Sequence, residues 1–379
     1  MTAAISLASV WKAAGESHDR APVLSVDLDA IRSNYREMRR RYRGEVLSAV
    51  VKSDAYGLGL ERIVGALLEA GCCVFWANDL AEASRIRSSA PNVGIFTLMG
   101  LAGHHMGDFE EVGVIPALAA LEEVEVCARH GLLEERRIAV AVQIDTGLGR
   151  LGLGEEDLAF LAERKDILDC LDVRVWVSHL ASYNLPHDPR NVSQRAMLAA
   201  WIARLPSAPV SLAASSGVFM DSDWHFDLAR VGSAVFGVQT SVEWQDGLVP
   251  CYELRAPILR VADFPAGRQL GYRGATTLDR PSRIATIAIG YANGLPQRFG
   301  ECGTARIGNH VAPLVGGIAM NMSMLDVTDV PAAALLEHGA AVLLDRDQPV
   351  ELIAERLGCA PNLLLTQIGA GTGKRYVGD

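Results

Sequence analysis

The chain has 379 residues, half of them hydrophobic, and 35 basic against 45 acidic side chains give a net charge of −10. That length exceeds one ordinary domain and supplies a large core, though an α/β barrel can take roughly 250 residues by itself. The acidic balance argues against nucleic acid or an anionic membrane as partner, and no apolar run approaches the 18 or so residues of a membrane span.

Residues Ala3 to Trp11 are mildly apolar but lack a basic flank and are soon followed by Lys12 and Glu16, so no signal peptide is expected. From Val23 to Gln239 apolar strand-like runs alternate with helical periodicity. Val23–Val26 precedes a helix opening near Asp29, where Ile31, Tyr35, Met38 and Tyr42 share one face. Val46–Val51 precedes a helix bearing Leu60, Ile63, Leu67 and Leu68. Further strands are expected at Cys73–Ala77, Val93–Leu98, Val114–Leu118, Ile138–Ile144, Val173–Val177, Val210–Ala213 and Ala234–Val238, with helices such as Glu155–Arg164 and Val192–Leu205 between them. Strand–helix alternation means parallel strands with helical crossovers, and some eight units without a composition break favour a closed (β/α)8 barrel.

After about residue 240 the texture becomes β-rich. Tyr252–Val261, Arg283–Ile289 and Val311–Val315 are separated by turns such as Asp263-Phe264-Pro265-Ala266-Gly267 and Gly308-Asn309, with one short helix near Val350–Leu357. The expected division is therefore a barrel over residues 1–240 and a β-rich domain over 241–379. The seven cysteines (Cys72, Cys73, Cys127, Cys170, Cys251, Cys302 and Cys359) are scattered, odd in number and never at Cys-x-x-Cys spacing. That suits a reduced, cytoplasmic protein with free thiols and no metal site.

Seven segments carry candidate chemistry. Lys52 closes the apolar run Val46–Val51 and is followed at once by Ser53-Asp54-Ala55-Tyr56-Gly57-Leu58-Gly59. Desolvation at the end of a buried strand lowers an ammonium pKa, as a Schiff-base lysine requires. From position alone, a lysine that snorkels into solvent is the commoner case. Gly147, Gly149 and Gly152 form G-x-G-x-x-G between a strand and a helix, a context that fits a phosphate-binding loop and a plain glycine-rich turn equally. Asp145-Thr146-Gly147 lacks the second triplet an aspartic protease needs. His179 sits just past a strand, where a lone histidine is more often structural. Ser215, and Arg230-Val231-Gly232-Ser233, flank late strands, where a barrel builds its phosphate sites. Tyr272 and Tyr291 lie nineteen positions apart in β-rich sequence, where tyrosines usually pack.

The stretch Ala49-Val50-Val51-Lys52-Ser53-Asp54-Ala55-Tyr56-Gly57 resembles the pyridoxal-phosphate lysine motif of alanine racemases. Similarity continues from Ser25 to Val377 through Asp145–Gly152, His179, Ser215, Arg230–Ser233, Leu270–Gly274, Ile289–Gly294 and Gly317–Met322. The resemblance implies a barrel plus β domain, pyridoxal 5'-phosphate on Lys52, and a head-to-tail homodimer acting on a small amino acid. It implies that Tyr56, Ser215, Gly232 and Ser233 cradle the phosphate, and that Arg230 faces the pyridine nitrogen. His179 would bridge Arg230 to Tyr272, and Arg150 and the Met320 backbone would bind the substrate carboxylate. Tyr291 would line the entrance. Lys52 and Tyr272 would be the two bases, serving the D- and L-enantiomers respectively, with Tyr272 and Met320 supplied by the partner chain.

Several positions depart from the family pattern. Leu58 replaces a histidine, Gln143 stands where many members carry a lysine, Ala214 replaces an asparagine, and Arg273 replaces a glycine. Gly317 replaces an arginine, Asn321 an aspartate, and Gly371-Thr372-Gly373-Lys374 the closing Arg-Val-Pro-Arg. Ala370 stands where some members carry a phosphate-binding tyrosine, and Tyr376 is read as a packing residue. Alanine is the expected substrate, with serine or another small amino acid as the alternative. A decarboxylase of the same fold, a non-catalytic cofactor-binding protein and a nicotinamide oxidoreductase using the Gly147 turn are the remaining readings.

Overall fold

The computed structural model describes residues 21–243 and 245–378, so the Ala3–Trp11 segment lies outside the described residues. After an initial strand β1 (Val23–Asp27), eight short strands alternate with helices: β2 (Val46–Val50), β3 (Val74–Ala77), β4 (Gly94–Thr97), β5 (Ile115–Leu118), β6 (Ile138–Gln143), β7 (Leu171–Val177), β8 (Val210–Ser211) and β9 (Leu228–Val231). They pair in parallel in the order β8-β7-β6-β5-β4-β3-β2-β9. The ring closes where Ala214 bridges Arg230 and Arg230 donates its amide to Ala213 O at 2.9 Å. Trp76, Phe96, Ala117, Ala141, Val175, Val177 and Leu228 fill the barrel interior, with Trp76 stacked on Phe96 at 4.5 Å between ring centroids. The fold is a (β/α)8 barrel joined to a C-terminal β domain.

Local chemistry starts the crossover helices where they are needed. Asp79 caps Leu80–Ser89 by accepting the Glu82 amide at 3.0 Å, and Asp188 caps Pro189–Ile202, whose proline occupies the first turn.

Two strand expectations are corrected. β1 is not a barrel strand: it pairs antiparallel with the long β10 (Tyr252–Phe264) and lies in the C-terminal sheet. Its burial alternates, Leu24 and Val26 inward and their neighbours partly exposed, which is the period of a sheet covered on one face. Barrel strands β3, β4 and β5 each bury three consecutive residues instead. The strand expected at Ala234–Val238 is a 3-10 turn, Ser233–Phe236, ended by Gly237 at φ 69°. The true last strand carries Arg230 in its middle, and a charge inside an apolar run hides a strand from hydrophobic patterning.

The C-terminal sheet adds β11 (Gln269–Leu270) and β12 (Thr276–Thr277) as a small hairpin, then β13 (Ser282–Ile287), β14 (Thr304–Ile307), β15 (His310–Ile318), β16 (Ser323–Asp326), β17 (Ala340–Leu344) and β18 (Gly373–Val377). The main sheet runs β13-β16-β15-β14-β17-β10-β1-β18, and β10 also pairs with β13. Gly308-Asn309 makes the two-residue turn between β14 and β15, with Gly308 at φ 58° as such tight hairpins require. Val350–Leu357 is helical as expected, but Phe299–Cys302, Ala332–His338 and Pro361–Gly371 are helical too. Backbone contacts divide the described chain into two compact units, one of Ala30–Ala55 with Gly59–Val249, the other of the residues up to Asp29, Tyr56–Leu58 and Pro250 onwards.

Candidate active site

Every barrel position singled out by sequence falls on one rim, at the carboxyl ends of the parallel strands. Lys52 follows β2, Arg150 lies between β6 and the next helix, His179 follows β7, Ser215 follows β8, and Gly232 and Ser233 follow β9. Parallel barrels place their chemistry at this end because the loops there are free of strand pairing.

The backbone after Lys52 is unusual. Ser53, Asp54, Ala55 and Tyr56 take φ of 55°, 54°, 52° and 58°, so four consecutive non-glycine residues wind left-handed. At roughly 1–2 kcal/mol per residue, such a run stores on the order of 4–8 kcal/mol and needs external ties. It has them. Ala55 N donates to Val51 O at 2.9 Å, Leu60 N to Asp54 Oδ1 at 3.1 Å, and Asp54 N to the Glu82 carboxylate at 2.9 Å. Arg85 holds the Asp54 carboxylate at 2.8 Å. Lys52 is half-buried at the start of this turn, and desolvation lowers its pKa, with the Arg150 charge adding in the same direction and Glu82 opposing. Both influences shift the balance toward the neutral amine.

Arg230 is the most constrained cation of the rim. Only 5% exposed, it donates from Nη1 to Ser211 O at 3.0 Å and to the Ser211 hydroxyl, and from Nη2 to Ser178 O at 2.6 Å. Its Cζ lies 5.7 Å from the centroid of the Trp76 ring, whose Nε1 is fixed on Ser48. Burial lowers its pKa to about 10, which leaves it charged at neutral pH. Nη2 also approaches His179 Nδ1 at 3.4 Å. His179 is pushed down to about 3, first by desolvation and then by the cations Arg230, Arg150 and Lys52. A neutral ring that accepts at Nδ1 carries its proton on Nε2, so it can pass an orienting hydrogen bond outward.

Ser215 is buried, and its Oγ accepts the amides of Gly232 at 3.0 Å and Ala234 at 3.2 Å. Both turns of the expected phosphate cradle are thus tied to one hydroxyl, whose own proton is left for an anionic acceptor.

The G-x-G-x-x-G segment resolves toward a turn. Gly147, Gly149 and Gly152 have φ of 126°, 70° and 116°, but the amides of Gly147, Leu148 and Gly149 all donate to the Asp145 carboxylate at 2.9–3.1 Å. Amides already occupied by an aspartate cannot cradle a phosphate, which removes the dinucleotide reading. The same contacts occupy Asp145 as a loop clamp. Arg150 projects from this turn, exposed. Gln143 donates to Leu98 O at 3.1 Å and Ala117 O at 2.8 Å, bridging strand ends of the barrel.

Tyr272, Tyr291 and Met320 belong to the other unit and are 80%, 41% and 56% exposed. Tyr272 opens a 3-10 turn in which Arg273 has φ 58°, a left-handed position that glycine takes at least cost. Gly271 ahead of it cannot be replaced without moving backbone, because a Cβ there would lie 1.9 Å from Gly316 O. Tyr291 and Ala292 donate their amides to Ala319 O at 3.0 Å and Met320 O at 2.9 Å, so the tyrosine turn and the methionine loop form one backbone-bonded surface. Tyr376 donates to Leu58 O at 2.9 Å, in keeping with a packing role.

Residues 26–240 match the family model for the alanine racemase N-terminal domain, and residues 251–376 match that for the C-terminal domain. The chain belongs to the alanine racemase family. It is 33% identical to an alanine racemase of Brucella suis over 94% of this chain and 93% of that one. It is 36% identical to an alanine racemase of Rhodospirillum rubrum, covering 95% and 97% respectively. The crystal structure of alanine racemase from Bartonella henselae with covalently bound pyridoxal phosphate superposes with a TM-score of 0.90 at 31% identity, over 94% of this chain and 99% of that one. Three side chains of this family member's rim escaped the sequence reading: Glu82 beneath the lysine turn, and Ser211 and Trp76 around Arg230. None carries a local motif, because each acts through a partner distant in sequence.

Proposed function

We propose that this chain is a pyridoxal-phosphate-dependent racemase that interconverts L- and D-alanine as a cytoplasmic homodimer. The observation that carries the reading is Lys52, a half-buried amine of lowered pKa held at the barrel rim beside Arg150. The donor set around it fits the cofactor: an amine able to condense with an aldehyde, a buried hydroxyl whose proton is free for a phosphate, and a rigid guanidinium. Lys52 would hold the aldehyde carbon, Tyr56, Ser215, Gly232 and Ser233 the phosphate, and Arg230 with His179 the ring. When bound, pyridoxal phosphate withdraws electrons from the substrate and acidifies its Cα–H bond.

The chain's own groups then move the proton. The Lys52 amine exchanges it on one face of Cα, and the Tyr272 hydroxyl on the other; two fixed groups avoid any need for the carbon to turn over. Arg230 keeps its own proton and would not protonate the ring nitrogen it faces, which would restrain electron withdrawal and favour return of the proton to Cα over transamination. Arg150 offers a planar fork to the substrate carboxylate. Exposure of Tyr272, Tyr291 and Met320 on a single chain supports a dimer in which each copy lends these residues to the Lys52 of its partner. Seven free cysteines support a reducing compartment, and no helix among the described residues is long and apolar enough to cross a membrane.

Asn321 and Gln143, in place of aspartate and lysine, favour a second reading in which a more polar small amino acid such as serine is the better substrate. Both are tested by loading the protein with pyridoxal phosphate and screening all common L-amino acids for D-product by chiral chromatography. Alanine leading the panel supports the first reading, serine leading supports the second. A protein that gains no visible absorbance bleached by borohydride would refute both.

A further inference from the structure

We propose that Glu82 is a positioning residue for Lys52: its carboxylate clamps two backbone amides and holds the left-handed turn on which the lysine is mounted. One oxygen accepts Asp54 N at 2.9 Å, two residues past Lys52, and the other accepts Asn78 N at 3.0 Å, just beyond β3. Glu82 therefore joins the ends of two neighbouring barrel strands at the rim. Its own amide is capped by Asp79, so the first turn of the helix that carries it is anchored. Of the other ties to the turn, the ion pairs of Arg85 with Asp54 and Glu61 are solvent-exposed, and the remaining bonds stay within the turn and the strand before it. Glu82 combines a half-buried carboxylate, a bond to the turn and a bond to the residue that follows a second strand.

A carboxylate also acts through its charge. Arg150 and burial both disfavour a proton on Lys52, and Glu82 is the anion that opposes them. His179, the remaining titratable neighbour, is neutral above about pH 3. Glu82 would thus set both where the amine sits and how readily it takes a proton, and this second role rests on the racemase reading above.

The two roles separate in two variants of the cofactor-loaded enzyme. Glu82→Gln removes the charge and turns one acceptor into a donor facing an N–H. Glu82→Asp keeps the charge but shortens the reach by a methylene. Hydrogen exchange should accelerate about tenfold or more in both, confined to peptides spanning residues 53–60 and 78–80. The acid limb of kcat for the D-enantiomer, which reports the Lys52 amine once substrate has released it, should move down by about half a pH unit in Glu82→Gln and stay in place in Glu82→Asp. Glu61→Gln, which loses only a contact to Arg85, should leave both readouts unchanged. Exchange unaltered in both variants would overturn the clamp. Acceleration spread over the whole barrel with an unmoved acid limb would overturn it too, reducing Glu82 to general stability. The exchange arm needs no activity, so its failure is distinguishable from failure of the racemase reading.

Discussion

Arg230 and Tyr272 stand at opposite extremes of accessibility, 5% against 80%, although both are assigned to one reaction centre. On the barrel rim all but the exposed Arg150 are fixed by neighbours of their own unit: Arg230 by Ser178 and Ser211, His179 by Arg230, Ser215 by the Gly232 and Ala234 amides, and the Lys52 turn by Glu82. On the C-terminal unit the backbone is equally well bonded, yet Tyr272, Tyr291 and Met320 point into solvent. The rim is thus finished by one chain, whereas the C-terminal surface displays apolar and phenolic groups without covering them. Large exposed side chains gathered on one surface mark an interaction site, and here they are the residues assigned to the reaction.

The contrast can be broken at either end. The largest effect is expected at Lys52. On the proposed roles Lys52→Ala removes one base and the covalent anchor together, so racemisation should fall by more than about 10⁴-fold and borohydride should bleach no visible band. Tyr272→Phe should lower racemisation by roughly 10²–10⁴-fold. It should keep solvent-deuterium exchange at Cα from the D-enantiomer and lose it from the L-enantiomer; equal loss from both would contradict two bases. Because Tyr272 is exposed, melting of the dilute single-chain protein should not change.

Arg230→Gln belongs to the finished side, and its effect should appear in stability. Ser178 O and Ser211 lose buried charge-assisted partners, which should lower the unfolding free energy by about 2–4 kcal/mol in a denaturant titration. Arg150→Lys replaces a fork by a point charge and should weaken substrate binding roughly ten- to a hundred-fold, with the absorbance spectrum of the resting enzyme unchanged. The smallest effect near neutral pH is the pH dependence that His179 confers. Its folded pKa of about 3 lies below the ordinary 6.5, so the unfolded chain takes up the proton first as pH falls. Stability is full above about pH 6.5 and declines toward pH 3, by about 1 kcal/mol between pH 6.5 and 5.5. His179→Asn should flatten that slope.

The parts legible in sequence were those with a local signature. Short apolar runs gave most barrel strands to within a residue or two, and Lys52 announced itself by ending one. Long-range pairing left no such trace. β1 joins strands more than 200 residues away, Tyr252–Phe264 and Gly373–Val377, and only its alternating burial distinguished it from a barrel strand. β9 was hidden by Arg230, whose charge is tolerated inside a strand because two carbonyls and a hydroxyl receive it. The left-handed turn after Lys52 leaves no signature, since of Ser, Asp, Ala and Tyr only Asp tolerates positive φ at all readily, and one of its ties comes from Glu82, 28 residues on from Asp54. The glycine-rich loop is ambiguous in sequence, fitting a phosphate loop and a plain turn equally. Its spacing matched a phosphate loop, while Asp145 in the same segment was the ligand its amides had been built to hold.

The central claim is that the finished rim of one chain is completed by the displayed surface of another, and mixing two disabled variants tests it most directly. Lys52→Ala and Tyr272→Phe chains are purified separately, each nearly inactive, then combined in equal amounts under conditions that let subunits exchange. In a mixed dimer with shared sites, one site pairs the intact Lys52 of one chain with the intact Tyr272 of the other. The account predicts recovery toward about a quarter of the wild-type activity, the share of intact sites in a randomly exchanged population. A mixture that exchanges subunits yet stays as inactive as its components would place Lys52 and Tyr272 of the same chain in one site and contradict the account.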